Sequence, residues 1–190
     1  MKKILFFVTL MGPLAYADLY KIDVAHTQIG FKVKHLVIST VSGRFDKFAG
    51  TLNYDPNTGD MKDVFVSIDA ASIDTNEPDR DKHLKSSDFF DVEKFPKLEF
   101  VSSKTTVKNK KPVKIEGNLT IHGVTKPVTL KMEFGGVTTD PMGHKRLALE
   151  ASGTIDRKEF GLKWNKNLDQ GGVMISDKVK MVIEGEALLQ

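Results

Sequence analysis

Residues 113–134 read VKIEGNLTIHGVTKPVTLKMEF, and this stretch decides the fold class. Apolar and polar side chains alternate up to Ile121 and again from Val128 onward. A period of two is typical of a β-strand with one buried and one solvated face. The intervening residues, from His122 to Pro127, include the glycine and proline that turns favour. Two strands joined by so short a turn are antiparallel neighbours.

The same alternation recurs at residues 147–155 and 179–189, and turn-forming residues at 55–59 and 140–143 separate further segments. Predicted strands start near Leu19, Ile29, Phe45, Val64, Leu98, Val113, Val128 and Leu147, with another from Val173 onward. So many antiparallel strands with one apolar face must close into a barrel or stack as a sandwich. Glycines within the strand patterns suit the bends of a barrel. They are Gly43, Gly50, Gly117, Gly153 and Gly185. We therefore predict an all-β, eight-stranded antiparallel barrel.

One segment, residues 72–85, breaks the alternation. Asn76 is a good N-cap, and Pro78 falls in a first turn where its missing N–H costs nothing. Acidic residues crowd the same turn, which favours a helix start. We predict one short helix of two or three turns that ends before Ser86.

The N-terminus has the layout of a secretory signal peptide. Lys2 and Lys3 precede an apolar run at residues 4–11, and Ala15-Tyr16-Ala17 supplies a small-x-small cleavage pattern. The alternative is a membrane anchor, but a spanning helix needs roughly twenty apolar residues. We therefore expect cleavage after Ala17, a periplasmic location and one barrel domain over residues 18–190. Full secretion is the alternative destination.

Composition excludes several classes of function. The chain has no cysteine, so thiol nucleophiles, thiol redox chemistry and cysteine-based zinc sites are ruled out. Loss of residues 1–17 removes Lys2 and Lys3 from the 28 basic residues, which leaves 26 against 25 acidic ones. A balance near zero does not suit nonspecific nucleic-acid binding, which needs a strong basic field.

Histidine spacing gives no sign of a metal site. None of the five histidines pairs at the i,i+2 spacing of a strand site or the i,i+4 spacing of a helical one. We expect neither a metal nor another cofactor. The densest polar cluster is Arg80, Asp81 and His83, which a catalytic interpretation would use with His83 as a base oriented by Asp81. Residues two apart on a helix point away from each other, however, and no GxSxG elbow supplies a nucleophile.

Five motifs follow one another along the chain. They read Tyr20-x-Ile-Asp23-x-x-His26-Thr-x-Ile-x-Phe31-x-Val-Lys-His35-Leu with Val41-Ser-Gly43-Arg-Phe45; Ser72-Ile-Asp74-Thr-Asn76; Arg80-Asp81-x-His83-Leu84-Lys-Ser-x-Asp88-Phe89-Phe90-Asp91 with Phe95-Pro96; Gly117-Asn-Leu119-Thr-Ile-His122-Gly123-Val-Thr125-Lys-Pro127; and Asp156-Arg157-x-x-Phe160-Gly161-Leu-x-Trp164-Asn165. Through these motifs the chain resembles the YceI-like family, the polyisoprenoid-binding proteins of bacterial periplasms. The resemblance runs from about Tyr20 to Leu188.

The resemblance implies a lipocalin-like barrel whose apolar tunnel holds an isoprenoid chain or another long-chain lipid, with no catalytic residues and no essential metal. An eight-stranded barrel is just wide enough to be filled by its own side chains or to hold one small ligand. Tunnel-lining candidates are Phe31, Phe45, Phe100, Phe160 and Trp164. Head-group candidates are His35, Arg80, Asp81, His83, His122, Arg157 and Asn165. Three other polar residues of the motifs, Asp23, His26 and Asp74, are expected to form hydrogen bonds within the barrel and not to contact the head group.

The leading hypothesis is therefore a periplasmic carrier of an isoprenoid lipid, either a polyprenyl phosphate or a quinone-like molecule, and not an enzyme. Its expected partners are the lipid and, transiently, a membrane or membrane protein, with a homodimer formed through exposed strand edges as a further option. Two alternatives stay open. One is a small lipid hydrolase or isomerase that uses Arg80, Asp81 and His83. The other is a filled barrel that serves as a stress-protection or interaction module.

Overall fold

The computed structural model describes residues 17–167 and 172–190, so the predicted signal sequence before Ala17 lies outside the described residues. The described strands in chain order are β1 (Asp18–His35), β2 (Ser39–Phe45), β3 (Phe48–Asp55), β4 (Asp60–Asp69), β5 (Ile73–Asp74), β6 (Lys97–Lys108), β7 (Lys111–Ile121), β8 (Val124–Thr139), β9 (Lys145–Asp156) and β10 (Ile175–Leu189). Helix α1 spans Pro78–Lys85, and short 3-10 turns occur at Ala70–Ser72 and Arg157–Phe160. None of the helices among these residues has the length and apolarity of a membrane span.

The strands form one closed antiparallel barrel. Neighbours follow the order β10, β9, β8, β7, β6, β4, β3 and β1, and β1 pairs back onto β10 from Tyr20–Leu189 to His35–Ile175. Strands β2 and β3 share one position in the wall, because β2 pairs with the second half of β1 and β3 with its start. The short β5 pairs with the end of β2. The prediction of an eight-stranded antiparallel barrel with one helix is confirmed.

Strand β1 differs from the prediction. Separate strands from Leu19 and Ile29 were expected, but β1 is a single strand of 18 residues with an irregularity between Asp23 and Gln28. The ladder to β10 continues on both sides of this bulge, so the pairing holds the two halves together. On its other edge, β1 pairs with β3 over residues 18–21 and with β2 over residues 29–35. The homodimer stays a prediction.

The helix was predicted correctly in extent but not in its cap. Helix α1 ends at Lys85, before Ser86 as expected, and Pro78 is its first residue. The N-cap is Glu77 and not Asn76, because the Glu77 carboxylate accepts hydrogen bonds from the N–H groups of Asp79 and Arg80 at 3.2 and 2.6 Å. Asn76 instead adopts a left-handed conformation with φ of 58°, which asparagine tolerates.

The two ends of the barrel are built differently. The helix end carries α1, the turn between β1 and β2, and residues 161–167, which follow β9. The far end carries the hairpin turns between β3 and β4, between β6 and β7, and between β8 and β9. At the far end, Tyr20 and Tyr54 are buried with ring centroids 6.4 Å apart, and Phe134 lies 5.2 Å from Tyr54. This aromatic cluster fills the far end of the barrel, and burial raises the pKa of both tyrosines.

Candidate binding cavity

A cavity of about 570 Å³ runs along the inside of the barrel. Its wall is almost entirely apolar, because the strands turn their alternate apolar side chains inward. Typical wall residues from four different strands are Leu52, Val66, Leu130 and Met181. The volume falls within the roughly 300–1,000 Å³ of small-molecule sites. At about 30 Å³ per water-sized group, it has room for roughly 19 methylene-sized groups.

Four of the five predicted lining aromatics face this cavity. They are Phe31, Phe45, Phe100 and Trp164. Phe31 packs on Phe45 with ring centroids 5.9 Å apart, and Phe45 packs edge-on against Phe90 at the same distance. Phe90 is a lining residue that the sequence analysis did not select, although it stands in the quoted motif at residues 88–91.

Phe160 does not reach the cavity. Its side chain is 1% exposed and belongs to the hydrophobic core, but it is absent from the described cavity wall. The physical reason is local. Phe160 ends the 3-10 turn at Arg157–Phe160, where the two-residue alternation of β9 no longer decides which way a side chain points.

Arg80 and Asp81, which were predicted to act together, have separate positions. Arg80 lies in the cavity wall, and its guanidinium donates to the hydroxyl and the carbonyl of Thr75, both at 2.7 Å. The Asp81 carboxylate accepts from the N–H of Thr75 at 2.9 Å and from its hydroxyl at 2.5 Å. Asp81 therefore holds the loop before α1, outside the described cavity wall.

His83 stands in the cavity wall at the helix end. Its ring meets Trp164 and Phe89 edge-on, with centroids 4.8 and 5.0 Å apart, and its Nε2 lies 2.9 Å from Asp88 Oδ2. The carboxylate that orients His83 is thus Asp88 and not Asp81. The catalytic arrangement of His83 with Asp81 is not formed, which agrees with their two-residue spacing on α1.

Arg157 is a buried charge that supports the backbone around the cavity. Its side chain is 5% exposed and donates to the carbonyls of Ser176, Leu162 and Trp164 at 3.0, 2.6 and 2.9 Å. Burial lowers the pKa of Arg157 from its ordinary value. Arg157 also contributes to the cavity wall, but its guanidinium is engaged in joining residues 162–164 to the start of β10.

Asn165 and His122 also make contacts within the protein. The Asn165 amide donates to the carbonyl of Ile175 at 2.7 Å and accepts from the Ile175 N–H at 3.1 Å. The His122 ring lies in the β7–β8 turn, 4.4 Å from the Phe95 ring, and neither His122 nor Asn165 is in the described cavity wall. His35, at the end of β1, does line the cavity. His35, Arg80 and His83 are therefore the predicted head-group residues that reach the cavity, together with Arg157.

A cluster of titratable side chains that includes Glu186, itself a lining residue of the cavity, was not predicted from histidine spacing. Asp23, His26 and Glu186 lie close enough together to consider a metal ion. A protein cation already occupies the place, because Arg146 donates to Asp23 at 2.6 Å and to Glu186 at 3.0 Å. Asp23 also bonds His26 at 2.8 Å, and Asp74 accepts from Arg44 at 2.5 Å. These residues therefore serve the hydrogen bonds of the barrel.

Comparison with known proteins agrees with this architecture. The family model described as YceI-like domain matches residues 20–187. Protein YceI of Salmonella newport is 41% identical over 179 residues, which are 93% of this chain and 90% of the relative. The crystal structure of the Campylobacter jejuni YCEI protein superposes with a TM-score of 0.72 at 35% identity, covering 89% of this chain and 96% of that one. A polyisoprenoid binding domain from Saccharophagus degradans has the same fold, with a TM-score of 0.67 at 14% identity, covering 92% of this chain and 99% of that one. The chain belongs to the YceI-like family.

Proposed function

We propose that this protein binds one long-chain isoprenoid lipid in the barrel cavity and carries it through the periplasm. The observation that carries the proposal is the cavity itself, with its apolar wall, its filled far end and a few polar side chains at the helix end. Membership of the YceI-like family and the shared fold of the polyisoprenoid binding domain support the same ligand class. The periplasmic location rests on the signal-like sequence at residues 1–17.

The apolar wall accounts for affinity but not for preference over a membrane. Burial of each methylene is worth about 0.8 kcal/mol relative to water, so ten of them contribute roughly 8 kcal/mol. That corresponds to a micromolar dissociation constant before ordering costs. A bilayer offers the same chain nearly the same gain. Net preference for the protein must therefore come from the shape of the cavity and from polar contacts to the head group.

The head group is proposed to lie at the helix end, beside Arg80, His83 and His35. Arg80 presents a guanidinium whose geometry suits phosphate oxygens, and its bonds to Thr75 hold it in place. His83 is held by Asp88 and by the edges of two aromatic rings. A phosphate or quinone oxygen placed here would leave the isoprenoid chain to follow the cavity toward Tyr20 and Tyr54.

The structure of the cavity also bears on the two alternative functions, a filled barrel and a lipid-acting enzyme. A volume of about 570 Å³ does not fit a barrel filled by its own side chains. The enzyme hypothesis required a base oriented by Asp81, whereas Asp81 is bonded to Thr75. It is tested by incubating the protein with prenyl phosphates, because turnover that disappeared in His83→Ala would revive it.

The deciding experiment is native mass spectrometry of protein taken from its own periplasm, followed by organic extraction of any bound lipid. We expect one bound species whose mass contains isoprene repeats. A mixture of ordinary phospholipids would identify a general lipid binder and contradict the isoprenoid proposal. A mass without any ligand, from protein that also fails to take up added prenyl lipids, would contradict the binding proposal as a whole.

A further inference from the structure

The turn between β1 and β2 presents two large apolar side chains to solvent. Val37 is 70% exposed and Ile38 is 85% exposed. Leu36 and Val37 have φ values of 51° and 65°, in the left-handed region that residues other than glycine seldom adopt and β-branched residues such as valine adopt least of all. Asparagine, aspartate and glycine are the residues that such turns favour. Neither packing nor turn geometry therefore accounts for Val37 and Ile38 at this position.

This turn, residues 36–38, stands at the rim of the cavity. The N–H of Leu36 donates to the carbonyl of Met174 at 2.8 Å, and the N–H of Met174 donates to the carbonyl of Lys166 at 2.9 Å. Met174 lines the cavity, and so do His35 and Val41, which flank the turn on β1 and β2. The exposed side chains are therefore joined by backbone hydrogen bonds to the wall of the binding site at the helix end.

Lysines cover the outer face of the barrel next to this turn. Lys32 and Lys34 are exposed on β1, and Lys180 stands directly opposite Lys32 on β10. Like charges in directly opposed positions destabilise a sheet. The neighbouring Lys178 and Lys158 have carboxylate partners, whereas Lys32, Lys34 and Lys180 form no salt bridge within the described part of the chain. An anionic partner would relieve their repulsion.

We propose that the turn at residues 36–38 and the lysines at 32, 34 and 180 form a docking surface for an anionic lipid bilayer. Val37 and Ile38 would enter the interfacial region while the lysines contact anionic head groups, as in other proteins that bind membrane surfaces. The charge pattern selects this occupant over a second copy of the chain, because two copies meeting here would bring their lysines together. Docking would give the carrier a place to exchange lipid with a membrane. That role of the surface rests on the proposed function.

The test compares binding to vesicles of phosphatidylglycerol with binding to vesicles of phosphatidylcholine, measured by flotation. Wild-type protein should float with the phosphatidylglycerol vesicles, and added salt should weaken the association because it screens the lysines. Val37→Asn combined with Ile38→Ser should reduce the bound fraction at least about tenfold, since burial of two apolar side chains is lost. Lys32→Ala with Lys34→Ala and Lys180→Ala should abolish the preference for phosphatidylglycerol.

Met142→Ser is the matched control, because Met142 is 82% exposed on the far-end turn between β8 and β9. It should float like the wild type. Asparagine tolerates the backbone conformation of residue 37, so Val37→Asn should not lower the unfolding temperature. Lost flotation with unchanged stability thus separates docking from a structural role of the turn.

Absence of wild-type flotation, or equal losses in Met142→Ser and the double variant, would overturn the docking proposal. A dimer in size-exclusion chromatography that Val37→Asn with Ile38→Ser dissociates would overturn it in favour of a contact between copies. Native mass spectrometry of the same proteins keeps the two proposals apart. Lipid-loaded protein that ignores vesicles contradicts docking alone, and vesicle binding by protein that takes up no prenyl lipid contradicts the proposed ligand alone.

Discussion

Phe100 and Val101 are neighbours on β6 that face opposite sides of the barrel wall. Phe100 is 9% exposed and lines the cavity, whereas Val101 is 50% exposed on the outside. We predict that Phe100→Arg lowers uptake of a prenyl lipid because it places a charge in the apolar cavity. Val101→Arg should leave uptake unchanged. Uptake measured by native mass spectrometry, with circular dichroism to verify the fold, distinguishes the two. Equal uptake in the wild type and in folded Phe100→Arg would remove Phe100 from the proposed lining.

Arg157 is the residue on which the backbone around the helix end depends. Replacement by leucine leaves the carbonyls of Leu162, Trp164 and Ser176 without their charged donor. We predict that Arg157→Leu lowers the free energy of unfolding by about 3 kcal/mol or more, because each buried carbonyl left without a donor costs about 1–3 kcal/mol. Urea denaturation measures the change. Lys158→Leu, at an exposed position next in the chain, should cost far less, and a similar loss in both variants would contradict the assigned role.

The direction of single side chains was predictable where strand alternation holds. Phe31, Phe45 and Phe100 stand on strands and face the cavity as expected. Phe160 follows a strand on a 3-10 turn, where alternation gives no information about direction. Asp81 and Asn165 turn away from the cavity because each bonds a backbone group of another segment, at Thr75 and Ile175. Such tertiary hydrogen bonds leave no periodic trace in the sequence.

Among the elements, the bulge of β1 is tied to two other strands by Arg146. The Arg146 guanidinium on β9 contacts Asp23 on β1, Glu186 on β10 and Asp140 in the β8–β9 turn. These contacts hold the pKa of Asp23 and of Asp140 below the ordinary value, with the hydrogen bond from Arg146 as the main cause. The cluster thereby joins β1, β9, β10 and the β8–β9 turn.

This cluster predicts a pH dependence of stability. A carboxylate with a lowered pKa in the folded state stabilises the fold above its unfolded pKa of about 3.9, and the stabilisation disappears as the pH falls through the folded value. Arg146→Gln should therefore be less stable than the wild type at pH 7, and the difference should shrink as the pH is lowered below about 4. Thermal unfolding across this range measures it. A difference that stayed constant with pH would show that the charge of the cluster is not involved.

The ends of strands were predictable where turn-forming residues follow them. The turns at residues 55–59, 122–127 and 140–143 were expected from their glycine, proline and aspartate residues, and each region joins two strands. The second turn is shorter than predicted, because β8 already begins at Val124. The continuity of β1 was missed because the bulge interrupts its alternation between Asp23 and Gln28. No glycine or proline in that stretch marks the interruption as a bulge. The Glu77 cap was missed because Asn76 has the stronger intrinsic preference for that position.

For the whole molecule, ligand binding should appear as added stability. A ligand that binds only the folded state stabilises it by about 2.7 kcal/mol at one hundred times its dissociation constant. We predict that geranylgeranyl phosphate, whose chain matches the size of the cavity, raises the unfolding temperature of lipid-free wild-type protein. Scanning calorimetry measures the rise, which should be small or absent in Phe100→Arg. A rise of the same size in both proteins would indicate binding outside the cavity.

Strand alternation predicted the barrel as a whole, but the cavity was implied by the family resemblance alone. Alternation requires a buried face, and closure of so many strands leaves few architectures to choose from. Whether the inward side chains fill the barrel or leave a cavity depends on how side chains from opposite walls pack. Tyr20, Tyr54 and Phe134 fill the far end, whereas the smaller Leu52, Val66 and Leu130 leave the middle open. Periodicity is the same in both regions.

Closure of the barrel by β1 and β10 sets a condition on the order of folding. The two strands come from opposite ends of the domain's sequence, so the pairing that closes the barrel joins residues that are very distant along the chain. Until residues 175–189 are available, the sheet has two open edges and its apolar face is accessible. Unpaired edges and exposed apolar surface promote aggregation, and nonlocal pairing is slow. The barrel is therefore protected from aggregation with other chains only after β10 has paired with β1.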